Sequence, residues 1–199
     1  MPKAISNDER ETTKNAFRQA SITLIKNKGL RRLTVDDLTK SVGIAKGSFY
    51  FYFQSKEELL YETISQSERK TFETMMNLSY SAENFRENVE RMLFDVYLAP
   101  DSIALYLKSE DMHYLMRKLP AKTREQEKLK SHNNLAQVGE LFGLSEEDGG
   151  TLAYLTDSLR ELATSEQDYG NKSRQQGLKI LVRGIADFLN EKSTTRGKG

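Results

Sequence analysis

Between Thr34 and Glu58 the chain reads TVDDLTKSVGIAKGSFYFYFQSKEE, and the local signals in this stretch leave few folds open. Thr34 with Asp37 three residues on is a capping-box start. Val35, Leu38 and Val42 then recur at helical spacing, so a short helix runs up to Gly43, which supplies a turn. Ile44-Ala45 opens a second short helix, in which Phe49 and Phe53 stand four apart on one face while Lys46, Gly47, Ser48, Tyr50 and Tyr52 point elsewhere. Two short helices joined by a glycine turn make a helix-turn-helix, the geometry of a DNA-reading head.

The second helix carries the chemistry. Lys46 is a donor beside a side-chain-free Gly47 that allows close backbone approach, and the hydroxyls of Tyr50 and Tyr52 can reach phosphate oxygens. Ser55 with Glu58 reads as a second capping box, which puts Lys56 in a first helical turn among free backbone N–H groups, a setting that attracts phosphate.

The run from Val42 to Leu60, VGIAKGSFYFYFQSKEELL, resembles the signature of the tetracycline-repressor (TetR) family of transcriptional regulators: the glycine turn, the Lys-Gly pair, the Tyr-x-Tyr-Phe run and the Ser-Lys-Glu-Glu-Leu start fall in one register. The resemblance covers roughly residues 10 to 62, and no subfamily motif follows it. It implies base-edge reading by Lys46 and Gly47, with Thr34, Ser48, Tyr50, Tyr52 and Lys56 on phosphates. Ala45 and Phe51 complete the expected DNA-facing set. Ser48 replaces the usual threonine and keeps the hydroxyl. Phe51 stands where the family often has histidine or tyrosine, and it carries no polar group for a base or phosphate.

Net charge is +1 and decides nothing by itself, but its distribution does. Residues 1–60 hold 11 Lys and Arg against 7 Asp and Glu, and the other 139 residues hold 19 against 22, so positive charge gathers where the motif lies. Without cysteine there is no disulfide or thiolate metal site, and no apolar run approaches the roughly 20 residues of a membrane span. A cytoplasmic protein is expected.

Elsewhere the pattern is helical throughout, giving an all-α fold of about nine helices. The stripe Phe17, Ala20, Leu24, Ile25 predicts a first helix from about Arg10 to Lys28, stopped by Gly29. A long helix runs from Ser55 to about Leu78 and ends at Ser79-Tyr80-Ser81; another, with Phe85, Val89, Met92, Leu93 and Val96, ends at Pro100. A short apolar piece spans Ile103 to Leu107, and a polar, methionine-bearing segment leads to Met116. Helices follow over Ala121 to Phe142, from the capped start Ser145/Asp148 through Leu152, Leu155, Leu159 and Leu162, and from about Asn171 to Glu191. The expected domains are a DNA-binding head over 1–60, a ligand-binding and dimerisation body over 61–192 and a disordered tail over 193–199.

Glu110 and His113 have the Glu-x-x-His spacing of a metal ligand pair, but a di-metal bundle needs a second pair and His132 has Leu129 in that place. No metal, no cofactor and no catalytic site is expected, since no nucleophile, phosphate-loop or zinc-protease motif occurs. Methionines and aromatics at helical spacing are ordinary core. The family resemblance nevertheless implies an inducer pocket in the body, with Phe72, Met75, Met76, Phe94, Tyr97, Met112, Met116 and Tyr154 as lining candidates and Asp157 as partner for a cationic ligand or as a solvated residue. Gly177 and Gly184 lie two turns apart on the apolar stripe of the last helix, with Leu181 and Phe188. Since glycine costs a helix interior about 1 kcal/mol, the pair suggests close helix packing. With the row Leu155, Leu159, Leu162 this predicts a homodimer interface, the alternative being burial within one protomer.

The sequence therefore points to a homodimeric repressor that binds a palindromic double-stranded operator and is released by a small-molecule effector. An activator or ligand-independent regulator, or a helical interaction protein without DNA binding, are the alternatives.

Overall fold

The computed structural model describes residues 6–77, 84–99, 102–165 and 170–196. Nine α-helices and no strand occur among them: α1 (Asn7–Lys28), α2 (Val35–Val42), α3 (Phe49–Tyr52), α4 (Lys56–Met76), α5 (Phe85–Tyr97), α6 (Ser109–Lys118), α7 (Ala121–Phe142), α8 (Glu146–Thr164) and α9 (Asn171–Arg196). Short 3-10 turns occupy Lys46–Ser48 and Ile103–Tyr106. No helix among the described residues is long and apolar enough to cross a membrane. The breaks expected at Ser79-Tyr80-Ser81 and at Pro100 lie outside the described residues, as do tail residues 197–199.

Helix starts and stops follow the sequence. Reciprocal capping boxes open α1 (Ser6/Glu9), α2 (Thr34/Asp37) and α8 (Ser145/Asp148), each pairing two backbone N–H groups that would otherwise lack partners. Gly43 and Gly143 close α2 and α7 in the left-handed conformation that glycine adopts without steric cost. Two segments differ from expectation. The helix expected from Ile44 starts later, because the N–H groups of Gly43 and Ile44 both return to the Thr39 carbonyl and Ala45 stays extended; a 3-10 turn and one α-turn follow. α9 continues to Arg196, into the expected tail.

The chain divides into two units, Met1–Glu68 with Ser109–Leu119, and Arg69–Lys108 with Pro120–Gly199. In the first unit, Phe17, Ile25, Leu30, Leu33, Leu38, Phe49, Phe53, Leu59 and Leu60 are buried, together with Leu115 of α6 and Leu119 just after it. At about 1.5–3 kcal/mol for each fully buried large side chain, this core outweighs the polar ties around it. In the second unit one continuous core joins Phe85, Val89 and Leu93 of α5, Phe142 of α7, Leu152 and Leu159 of α8 and Val182, Ile185 and Leu189 of α9.

Candidate nucleic-acid interface

The helix-turn-helix is anchored by three phenylalanines. Phe17 of α1 meets Phe49 edge-on at 5.3 Å and Phe53 at 5.8 Å, and Phe49 lies 5.7 Å from Phe53. All three are at most 2% exposed. Edge-to-face packing adds about 0.5–1.5 kcal/mol to the burial of such rings, so the inward face of the recognition segment is fixed by the residues four apart in its sequence.

That fixes the outward face as well. Ala45, Lys46, Gly47, Ser48, Tyr50 and Phe51 are exposed, Tyr50 by 61% and Phe51 by 54%. A Cβ placed on Gly47 would meet nothing within 4 Å, and its backbone is not in the left-handed region. Among the described residues nothing therefore requires glycine there. Tyr52 is half-buried, 5.9 Å from Phe17 and 5.3 Å from Phe51. Arg10 joins this face: its guanidinium sits 5.2 Å from the Phe51 ring centre and Nη2 donates to the Phe51 carbonyl at 3.3 Å. In the sequence Arg10 reads, with Lys3, as a basic arm that could reach DNA; its tie to Phe51 is not legible there, because the contact spans 41 positions.

Two of the expected phosphate-binding residues have partners inside the head. The Thr34 hydroxyl accepts from the Asp37 N–H at 3.2 Å and lies 2.5 Å from Asp37 Oδ2, to which it donates. Lys28 Nζ reaches the same carboxylate at 2.5 Å. Lys28 first, then Thr34, hold the Asp37 carboxyl well below the usual carboxylate range. Lys56 Nζ donates to the Leu33 carbonyl at 2.8 Å and lies 3.8 Å from Glu57, with 15% of its side chain exposed. Ser55 Oγ accepts from the Glu58 N–H at 3.1 Å, but the Glu58 carboxylate accepts from Gln54 N–H at 2.5 Å, a variant of the expected box. On α2, hydrogen bonding to Lys40 lowers the Asp36 pKa, and Lys46 adds to the same effect from a distance.

In the same unit α6 is tied to the loop after α1 and to the start of α4. Arg31 pairs with Asp111 at 2.9 Å and Glu110 at 3.2 Å, and its guanidinium lies 5.8 Å from the Tyr114 ring centre. The Tyr114 hydroxyl donates to Glu57 at 3.2 Å; burial first, then the Glu57 charge, raise its pKa. None of these ties is legible in the local sequence, because Arg31 and Glu110 are 79 positions apart. Glu110 is thus an ion-pair partner, and among the described residues no group of three His, Asp or Glu is placed to hold a metal.

The expected effector-pocket residues fall in both units. Met112 and Met116 lie on α6, in the first unit. In the second, Phe72, Met75 and Tyr97 pack against the core, Tyr154 is 73% exposed, and Asp157 pairs with Arg160. Phe94 lines a cleft of about 390 Å³. Of the expected interface residues, Leu159 is buried in the core, while Leu155, Leu181 and Phe188 pack partly against it. Leu162 is 46% exposed, Gly177 and Gly184 are exposed, and Ile180 beside them is 58% exposed. A Cβ at either glycine would meet nothing within 4 Å among the described residues.

Comparison with known proteins bears on this geometry. The family model for bacterial regulatory proteins of the tetR family matches residues 18–63. The chain is 32% identical over 93 residues, 46% of its own length and 42% of the relative's, to the HTH-type transcriptional regulator EthR of Mycobacterium tuberculosis. It is 29% identical over 105 residues, 48% of its length and 57% of the relative's, to IcaR of Staphylococcus epidermidis, a negative transcriptional regulator of the biofilm operon icaADBC. The matched stretch thus spans about half the length of these curated relatives. In fold the chain is similar to SCO4454, a TetR-family transcriptional regulator of Streptomyces coelicolor, with a TM-score of 0.64 and 14% identity, covering 90% of this chain and 97% of that one.

Proposed function

We propose that this chain, a member of the TetR family, is a transcriptional repressor that binds a palindromic operator as a homodimer and is released by a small-molecule effector. The observation that carries the reading is the outward face Ala45–Ser48 with Tyr50 and Phe51, held rigid by the buried Phe17, Phe49 and Phe53. Lys46 offers a charged donor to a base edge, and Gly47 leaves room for the DNA backbone to approach. Tyr50 and Ser48 offer hydroxyls to phosphates. With the Lys56 ammonium on the Leu33 carbonyl, the contact at the start of α4 would come from its backbone N–H groups. The negative regulation named for IcaR supports repression over activation.

Dimerisation is supported by the exposed Leu162, Ile180, Gly177 and Gly184 of α8 and α9. A two-fold dimer would present two recognition segments about 34–36 Å apart, one helical turn of DNA. Release would run through α4, which contributes Leu59, Leu60 and Ile64 to the head core and Phe72 and Met75 to the packing of the body. An effector that binds the DNA-incompetent spacing more tightly by 1–3 kcal/mol, the usual range of coupling, weakens operator binding about 5- to 150-fold.

Selection of bound fragments from a random duplex pool by the purified chain tests the reading: a recovered consensus with two inverted half-sites is expected, and recovery of no consensus contradicts it. Calorimetric titration of the effector into free and operator-bound protein should give affinities differing by the same factor as the two operator affinities, by linkage.

A further inference from the structure

The cleft of about 390 Å³ in the second unit lies where the ends of α5 and α8 and the Ile103–Tyr106 turn meet the first half of α9. Its walls are of two kinds. Phe94, Leu98, Leu105 and Leu178 present apolar surface, and Arg174 and Lys179 of α9 present positive charge. Arg174 gives one Nη2 N–H to the Ala163 carbonyl in the last turn of α8, while its Nε is buried with no hydrogen-bond partner among the described residues. A guanidinium has five donors and no acceptor, and a buried donor left unmet costs free energy until an acceptor arrives.

We propose that this cleft binds a small carboxylate with an unbranched or flat apolar body, the carboxylate meeting Arg174 and the body lying against Phe94, Leu98, Leu105 and Leu178. Each half of the ligand follows from one half of the wall. A neutral apolar molecule leaves the Arg174 Nε unmet, a cation is repelled by Arg174 and Lys179, and a bare inorganic anion leaves the apolar wall wet. A planar carboxylate fits the guanidinium fork, and the volume is in the range of small-ligand clefts, about 300–1,000 Å³. The site shares only Phe94 with the pocket expected from sequence. It names a ligand class for the effector, and rests on the regulatory reading only in that link; binding itself does not depend on DNA.

Calorimetric titration of the full chain tests it, with sodium decanoate as probe and decan-1-ol and decyltrimethylammonium as neutral and cationic probes of equal length. Saturable decanoate binding is expected, with decanol weaker by about 10- to 100-fold for the lost charged hydrogen bonds. Arg174→Met, which keeps the stem and removes the fork, should lower decanoate affinity by a similar factor and leave decanol unchanged. Leu105→Trp fills the apolar end and should abolish binding of both, with circular dichroism unchanged. Absence of saturable binding for carboxylates from hexanoate to dodecanoate overturns the site, as does equal affinity for decanoate and decanol, or decanoate affinity that neither substitution changes. Decanoate that binds through Arg174 and leaves operator affinity unaltered keeps the site and removes it from release. A chain that binds decanoate but selects no DNA contradicts the regulatory reading alone.

Discussion

The head and the body both rest on buried aromatic and aliphatic cores, but they hold their candidate functional residues differently. In the head, the anchors Phe49 and Phe53 and the outward residues Lys46, Gly47 and Tyr50 belong to one segment of eight residues, so burying the first set exposes the second. In the body, Phe94, Leu105, Ala163 and Arg174 come from four elements far apart in sequence, and no local spacing links them. A surface on one short element is fixed by that element's own anchor. A cleft between helices is fixed only by the packing of all of them.

The largest expected effect breaks the head and spares the body. Phe49→Ala removes a fully buried ring and should destabilise the first unit by about 3–5 kcal/mol, most of the stability of a small domain. Hydrogen exchange should then show lost protection in α1 to α3 with protection kept in α5, α8 and α9, whose core contains no head residue. Equal loss in both units would erase the distinction drawn between them.

Gly184→Leu asks whether the exposed α9 face is an interface. A Cβ at this position meets nothing within 4 Å among the described residues, so monomer stability should hold or rise slightly with the better helix former. In a dimer it should cost about 1–3 kcal/mol or more of overpacking, seen in sedimentation as a shift toward monomer at micromolar concentration. A parent chain that already sediments as a monomer contradicts the interface.

Gly47→Ala separates fold from function within the head. Its Cβ meets nothing, so thermal stability should be kept, while affinity for selected DNA should fall about tenfold if the DNA backbone closes on this position. Unchanged affinity would place the DNA elsewhere.

The smallest effect concerns acid. Asp37 has its pKa lowered in the folded head, chiefly by Lys28 and then by Thr34, so its contribution to stability is present above the ordinary carboxylate pKa and is lost as pH falls below that value toward the folded one. Thermal midpoints should therefore decline from about pH 5 downward, and Lys28→Met should flatten that decline. An identical acid profile in the variant would remove Lys28 from the account.

Legibility in the sequence follows the same division. The Thr34/Asp37 and Ser145/Asp148 boxes, the turn at Gly43, the buried pair Phe49 and Phe53, and α7 from Ala121 to Phe142 are all decided by residues a few positions apart. Their chemistry is in the local string. Lys56 looked free because its partner, the Leu33 carbonyl, lies 23 positions away, and Ser109–Lys118 did not announce itself as a helix of the head because Arg31 is 79 positions from Glu110. Leu159 and Leu162 stand in one leucine row, yet one is fully buried and the other 46% exposed. A three-residue spacing identifies a stripe but not its edge, and which neighbour covers it is a property of the packed bundle.

The most direct test of the central claim is the salt dependence of affinity for selected duplex DNA, measured on the parent chain and on Lys46→Ala. A linear fall of log affinity with log salt is expected for the parent, from counterions released at each neutralised phosphate. For Lys46→Ala a loss of about 1–3 kcal/mol is expected on the selected sequence and less on unrelated DNA, so that sequence preference narrows. Salt-independent binding, or a variant that keeps both the affinity and the preference of the parent, would show that the face beside Phe49 and Phe53 is not where this protein reads DNA.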